Sequence, residues 1–286
     1  MLTGVILAGG RGERFGDPEK CLAPVCGVPL LFRVAGALAQ VVDKLYVATT
    51  PKHAGVAEAA ARWGIDVVYT PGFGYGHDFV QLAAYAPAVV AACDIADLMP
   101  SHVLRLTAEE VFATATSGGE YVGLSYIPSP DLSRWVEVEV GPLRDVDTRG
   151  DLEEAERLCP TAYPLYVDPA ALKPHEEVLE ERSYVVVHPI AVDYKTAVVL
   201  DGHHRLRFLL RAGLPAPVLL FDYDAVDVNV DKCEVVRRAY AGDLFPPKTT
   251  WHTYRGRHIS QIPSALAEVE ELRRRPRLKS RRLWSP

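Results

Sequence analysis

Short β-branched runs alternate with helical patterns through the first half of the chain. The runs at 5–8, 45–49, 66–69 and 89–93 read as strands, and 30–42, 52–64 and 78–86 between them carry apolar residues at three- and four-residue spacing. Such alternation predicts right-handed crossovers and a mostly parallel sheet. Ligands of such sheets bind beyond the carboxyl ends of the strands, where a glycine-rich stretch after the first run and Asp94 after the fourth would fall. From Tyr163 the pattern changes. Strand patterns at 185–193 and 195–202 follow closely, a helical pattern over 204–213 ends in glycine, and 217–223 is again apolar and extended. The expected architecture is an α/β, Rossmann-like domain over 1–160 and an α+β domain over 161–262. A C-terminal helix and basic tail complete it over 263–286. The junction falls near Cys159-Pro160, after the helical pattern of 151–158.

Composition narrows the classes. The chain has 286 residues, 49% hydrophobic and 24% charged, with a net charge of −6, which is ordinary for a globular protein and excludes collagen-like, disordered and disulfide-scaffold chains. No run of eighteen apolar residues occurs, and the N-terminus lacks the basic region of a secretion signal, so a cytoplasmic protein is expected. One asparagine, three glutamines, two methionines and 22 prolines point to a thermophile. The five cysteines include no Cys-x-x-Cys pair, which argues against zinc; buried small apolar residues are the simplest reading, although disulfides are tolerated in hyperthermophile cytosols. Residues 273–286 hold six Arg and one Lys, leaving the body with 24 basic against 37 acidic groups. Duplex nucleic acid is therefore not the expected partner, since phosphate neutralisation needs basic surface. The tail reads most simply as a helix end fraying into solvent.

The strongest motif is LAGGRGERFGDPEK, residues 7–20, where a strand runs into Gly9, Gly10, Arg11, Gly12, Arg14, Gly16 and Lys20. Glycines let backbone N–H groups approach phosphate, and Arg14 and Lys20 add charge for a polyphosphate. This motif resembles the opening of the nucleoside-triphosphate transferase superfamily, the MobA-like NTP transferases. Within it the chain is similar to archaeal GTP:adenosylcobinamide-phosphate guanylyltransferase, over about residues 2–158 and through EKCLAPVCGVPLL, TPGFGYGHDF, VVAACDIADL and DVDTRGDL. The resemblance implies GTP as nucleotide, Lys20 as a catalytic residue, and Mg²⁺ held by Asp94 and Asp147. A phosphate oxygen of the acceptor would attack the α-phosphate in line and pyrophosphate would leave. Thr49, Thr70, Gly74 and Gly76 would line the base or the acceptor, with Thr70 among the nucleotide contacts. The stretch between Asp94 and Asp147 is shorter than this family leads one to expect.

The second half carries KPHEE (173–177), DGHHR (201–205) and PPKTTWH (246–252). DGHHR follows an apolar strand and opens a helix, a natural phosphate site, and Glu176 beside His175 suits a general base. A metal site on Asp201 and the two histidines ranks second, because adjacent histidines on a helix point apart. The trio resembles the free serine kinases of archaea, of the ParB/sulfiredoxin-like fold, over about residues 163–258. That resemblance implies Glu176 as catalytic base and Asp201 as the essential aspartate, which holds a metal or assists the base. It further implies His203, His204, Arg205, Lys248, Thr249, Thr250 and His252 as phosphate contacts. Trp251 stands where that family has Arg. ATP or ADP as donor, and L-serine or L-threonine as substrate, stay open. The joint expectation is a bifunctional enzyme of cobalamin nucleotide-loop assembly: guanylyl transfer to adenosylcobinamide phosphate, and phosphorylation of a free amino acid. Its rivals are a nucleotide-sensing ParB-like module, a kinase with a regulatory N-terminal domain, and a transferase acting on molybdopterin or a sugar phosphate. Partners are small molecules; a homo-oligomer stays open.

Overall fold

Strand β1 (Thr3–Leu7) is buried at every position, as a parallel strand covered on both faces must be. Residues 1–10, 12–73 and 75–278, without the Tyr75 side chain, are described in this computed structural model. After β1 come the hairpin β2 (Pro24–Val25) and β3 (Val28–Pro29), then α1 (Leu30–Leu38), β4 (Lys44–Thr49), α2 (Ala54–Arg62), β5 (Asp66–Tyr69), α3 (Tyr75–Leu82) and β6 (Ala88–Ala92). Next are α4 (Pro100–Leu106), β7 (Phe112–Ser117), β8 (Glu120–Ile127), β9 (Trp135–Glu139) and α5 (Arg149–Leu158). The seven longer strands form one sheet in the order β5-β4-β1-β6-β8-β7-β9. Its first four strands are parallel, whereas β8 runs antiparallel to both β6 and β7. The parallel half matches the alternation of the sequence; the antiparallel extension over 112–139 had no strand assigned to it. Leu7 pairs with Ala92, so the loops that leave β1 and β6 open on the same edge.

The second half holds β10 (Leu165–Val167), β11 (Val186–Val187), β12 (Ile190–Asp193), β13 (Val199–Asp201), α6 (His203–Ala212) and β14 (Ala216–Phe221). It ends with β15 (Asp227–Val228), α7 (Lys232–Ala241), β16 (His252–Tyr254), β17 (Arg257–His258), β18 (Ala267–Glu268) and α8 (Val269–Leu272). Its main sheet has the order β10-β14-β12-β13. The single strand pattern of 185–193 divides at His188-Pro189: β11 pairs with β18, and β12 joins the main sheet. Proline has no N–H to give a ladder, which accounts for the break.

One core runs through both halves, since Phe32 and Trp63 belong to the same buried cluster as Val192, Tyr194 and Phe221. Arg33, buried in α1, donates to three backbone carbonyls: Ala96 (3.0 Å), Val25 (3.3 Å) and Pro160. Burial lowers its guanidinium to about 10, opposed by Glu156 and Asp97, so it stays charged at neutral pH. Trp63 Nε1 donates to the Tyr194 carbonyl at 2.9 Å, and Asp222 N to that of Gly27 at 2.8 Å. The junction at 160 therefore separates two sheets but not two cores.

Two expectations are corrected. Four of the five cysteines are not simple apolar fillers but form disulfides, Cys21–Cys93 and Cys26–Cys159, leaving Cys233 exposed and free. The start of the basic tail does not fray: Leu278 N donates to the Tyr166 carbonyl and Arg275 to that of Gln40, each at 2.9 Å. Residues 279–286 lie outside the described residues, and the C-terminal helix is the four residues of α8. Among the described residues no helix is long and apolar enough to cross a membrane.

Gly36 shows how tightly the halves meet, because a Cβ there would stand 1.9 Å from the Tyr163 carbonyl oxygen. Gly36→Ala would gain about 1 kcal/mol of helix propensity but suffer an overpacking cost of roughly 1–3 kcal/mol or more against immobile backbone. Chemical denaturation should show a net loss of stability. An unchanged or raised midpoint would mean that α1 does not press on the second half.

Candidate functional site

The loop after β1 lies over a cleft of about 530 Å³ lined by Gly9, Gly10, Gly12, Arg14, Lys20, Asp94 and Asp147. Only glycine fits at position 12: its φ is +63°, and a Cβ would meet the Asp17 carbonyl oxygen at 2.1 Å. His53 supports the loop from below. Its Nε2 lies 3.0 Å from the Gly10 carbonyl, which can only accept, so Nε2 carries the proton and Nδ1 accepts from Thr50 Oγ1 at 2.8 Å. Thr70 is buried behind the loop and donates to the Thr49 carbonyl at 3.4 Å. Arg11 and Gly74 lie outside the described residues. Glu19, a residue the sequence reading passed over, accepts from Gly55 N (3.2 Å) and Val56 N (3.0 Å). It thereby satisfies free N–H groups in the first turn of α2 and anchors the segment that precedes Lys20.

Lys20, Asp94 and Asp147 come from segments up to 127 residues apart and meet at one point. Lys20 Nζ pairs with Asp94 Oδ2, lies 3.4 Å from Asp147 Oδ1, and Arg14 pairs with Asp147 Oδ2 at 3.0 Å. The Lys20 and Asp94 side chains are 12% and 15% exposed, so their attraction is only partly screened, whereas Arg14 is 74% exposed and its pairing with Asp147 is screened by solvent. Asp147 is fixed from behind. Thr148 caps α5 by accepting from Asp151 N, and Asp151 Oδ2 accepts from Thr148 N (2.7 Å) and Asp147 N (3.1 Å). Asp145, also passed over, has a buried Oδ1 without a partner, and burial with Asp94 and Asp147 nearby raises its carboxyl to about 6.

Asp94, Asp147 and the carboxyl of Asp145 thus gather around the half-buried Lys20 ammonium and the exposed Arg14, a surplus of acidic groups that a divalent cation would relieve. Among the described residues no group of three or more His, Cys, Asp or Glu is placed so that it could hold a metal ion, so Asp145 is not a third ligand. Two carboxylate oxygens facing an open cleft suit Mg²⁺, which takes one or two protein carboxylates and completes its shell with water and phosphate.

The three motifs of the second half come together only in part. Glu176 Oε1 accepts from Thr250 N (2.7 Å) and Thr250 Oγ1 (2.6 Å), and Oε2 accepts from Lys248 N (3.3 Å). Because the Thr250 hydroxyl donates to Glu176, the fully buried His175 donates from Nε2 to Thr250 Oγ1 at 2.8 Å. Its ring stands 4.6 Å from that of His203 and 5.5 Å from that of His252. His175 N donates to His203 Nε2 at 3.3 Å, so that nitrogen carries no proton. Burial pushes His175 down to about 4, His252 to about 3 and His203 well below the usual range. Thr249 Oγ1 turns back to the Pro246 carbonyl at 2.7 Å, and His204 contacts the Glu180 carbonyl at 3.3 Å. Asp201 stands apart from Glu176. It pairs with Arg205 in a cleft of about 480 Å³ that Arg182, His188 and Ser260 also line and that Glu176 does not.

A glycine loop thus lies over paired carboxylates at the carboxyl ends of the parallel strands β1 and β6. The match to the MobA-like NTP transferase domain runs over residues 4–214, and the chain belongs to that family. The molybdenum cofactor guanylyltransferase of Burkholderia vietnamiensis is 34% identical over 113 residues, which are 37% of this chain and 55% of that one. A ParB-like protein of Sulfolobus acidocaldarius is 37% identical over 75 residues, 23% of this chain and 38% of that one. The inositol-1-phosphate CTP transferase from T. maritima is 14% identical with a TM-score of 0.43, over 54% of this chain and 94% of that one. The matches span between 21% and 55% of the lengths of the curated relatives.

The buried histidines set a pH dependence of stability. Unfolded histidine takes a proton near 6.5, but His175 and His252 in the fold do so only near 4 and 3. Their contribution is complete above pH 6.5 and is lost as pH falls toward 4, by about 1.4 kcal/mol per pH unit for each histidine. Denaturation midpoints measured from pH 7 to 4.5 should fall, and His252→Gln should remove about half of the slope attributable to this pair. A flat profile would mean that the cluster is not held neutral.

Proposed function

We propose that the cleft below the glycine loop transfers a guanylyl group from GTP to a phosphate-bearing acceptor. The observation that carries this is the meeting of Lys20, Asp94, Asp147 and Arg14 in a cleft that Gly9, Gly10 and Gly12 also line. Backbone N–H groups of Gly9, Gly10 and Gly12 with Lys20 would hold the polyphosphate, and the exposed Arg14 would add a further positive charge. Asp94 and Asp147 would hold Mg²⁺, which supplies charge neutralisation at the α-phosphate. Lys20, released from its carboxylates by the incoming phosphates, would stabilise the negative charge that grows on the leaving pyrophosphate. Adenosylcobinamide phosphate is the acceptor we favour; molybdopterin is the alternative that the Burkholderia relative's name suggests for this chain.

A second reading concerns residues 161–262, which we propose act as a free amino-acid kinase using ATP or ADP. The contacts of Glu176 and His175 with Thr250, and of His175 with His203, favour it, because they draw three separated polar motifs together. Glu176 would take the substrate hydroxyl proton with Lys248 facing phosphate beside it, while Asp201, as a metal holder, and Arg205, as a phosphate contact, would act from the neighbouring cleft. Paired with a corrinoid guanylyltransferase, such a kinase fits L-threonine better than L-serine, since threonine phosphate leads to the aminopropanol phosphate of the same nucleotide loop.

Pyrophosphate release should be fastest with GTP and adenosylcobinamide phosphate in a panel of nucleotides and acceptors. Release only with molybdopterin would overturn the corrinoid assignment and keep the chemistry. Lys20→Ala should lower transfer on the order of 10²-fold, the usual effect of losing a preorganised charge contact, and Asp94→Asn should abolish it. Rates unchanged in both would remove the cleft from consideration. For the kinase, Glu176→Gln should stop amino-acid phosphorylation while nucleotide binding persists. Binding lost together with activity would make Glu176 a pin for the 248–250 loop rather than a base.

A further inference from the structure

The groups that would meet the nucleotide are also joined covalently. Cys21 follows Lys20 and is bonded to Cys93, which immediately precedes Asp94. Five residues on, Cys26 is bonded to Cys159 at the end of α5, the helix whose capped start fixes Asp147. The stretch 20–26 is therefore fastened to both elements that carry the carboxylates. Cys21 and Cys93 are each 3% exposed, yet both lie in the wall of the nucleotide cleft.

We propose that the Cys21–Cys93 disulfide is a positioning element of the transfer site, and that nucleotide in the cleft shields it from thiols. The inference rests on reading the cleft as a nucleotidyl-transfer site. In the free protein the ion pair and the disulfide together keep Lys20 beside Asp94. An anionic nucleotide draws the ammonium toward phosphate, and the ion pair then no longer ties the two backbones; the disulfide does. It acts when the ion pair has been given up, so its loss is felt in turnover more than in binding. Reduction by a dithiol balances simply. One dithiol sulfur attacks Cys21 or Cys93, the S–S bond breaks, and the second sulfur displaces the mixed disulfide. Two electrons and two protons end on the cysteine thiols, and the dithiol becomes a cyclic disulfide.

The test uses the full chain with Cys233→Ser, which removes the exposed free thiol. Alkylation read by mass spectrometry follows each cysteine during treatment with dithiothreitol, alongside GTP affinity and pyrophosphate release in the acceptor panel. As purified, Cys21 and Cys93 should resist alkylation. Their reduction should lower kcat about 10-fold, as expected when reacting groups lose their alignment, with the GTP affinity changed less than 2-fold and full recovery on re-oxidation. GTP with Mg²⁺ should slow the appearance of these two thiols by a similar factor. Time points separate the two disulfides, so none of the four bonded cysteines needs to be replaced. Free Cys21 and Cys93 as purified, equal kcat before and after reduction, or no protection by GTP would each overturn the proposal while leaving the transferase reading intact. Failure of the oxidised chain to bind GTP would overturn both.

Discussion

The position of the Lys20 ammonium between Asp94 and Asp147 is the constraint around which the first half is arranged. Without that positive charge, two carboxylates would face each other in a partly desolvated cleft beside the orphaned carboxyl of Asp145. The loop after β1, the end of β6 and the start of α5 each deliver one member, and each is anchored separately. Glu19 binds the Lys20 segment to α2, the parallel pairing of β1 with β6 sets the position of Asp94, and the Thr148–Asp151 box orients Asp147. A cluster held this firmly, with more acidic than basic groups, favours a cation, and the proposed site would then meet phosphate through that cation, Lys20 and Arg14.

The same economy explains how the second half is attached. Buried arginine is costly unless its nitrogens find acceptors, and each nitrogen of Arg33 donates to a backbone carbonyl, from three segments, one at Pro160 on the junction itself. Trp63 and Gly36 of the first half then reach Tyr194 and Tyr163 of the second. A rearrangement of one sheet against the other would break these contacts together. The two clefts consequently sit on a common, stiff body.

Much of this was legible in the residues. The strand and helix periodicities placed β1, β4, β5, β6 and the helices between them, and the glycine-rich loop with Asp94 and Asp147 pointed to neighbouring strand and helix ends. What the sequence hid has physical reasons. Disulfides that span 72 and 133 residues leave no local spacing signal. Arg33 sits in an otherwise apolar helix, where a single charge reads as a surface position although its partners are backbone carbonyls. Glu19 and His53 act through backbone groups brought near only by the fold. In the second half the polar motifs marked their neighbourhood, but not that Glu176 would bind the 248–250 loop while Asp201 turned with Arg205 to a separate cleft. Motif order says nothing about which side of a strand each side chain takes.

The central claim, that Asp94 and Asp147 form the metal end of a nucleotide site, can be tested without any acceptor. Mn²⁺ in place of Mg²⁺, titrated with GTP and followed by water-proton relaxation, reports the ternary complex of protein, cation and nucleotide directly. The wild-type chain should form that complex, and the Asp94→Asn/Asp147→Asn double variant, folded by circular dichroism, should not. A ternary complex of unchanged affinity in the double variant would contradict the claim.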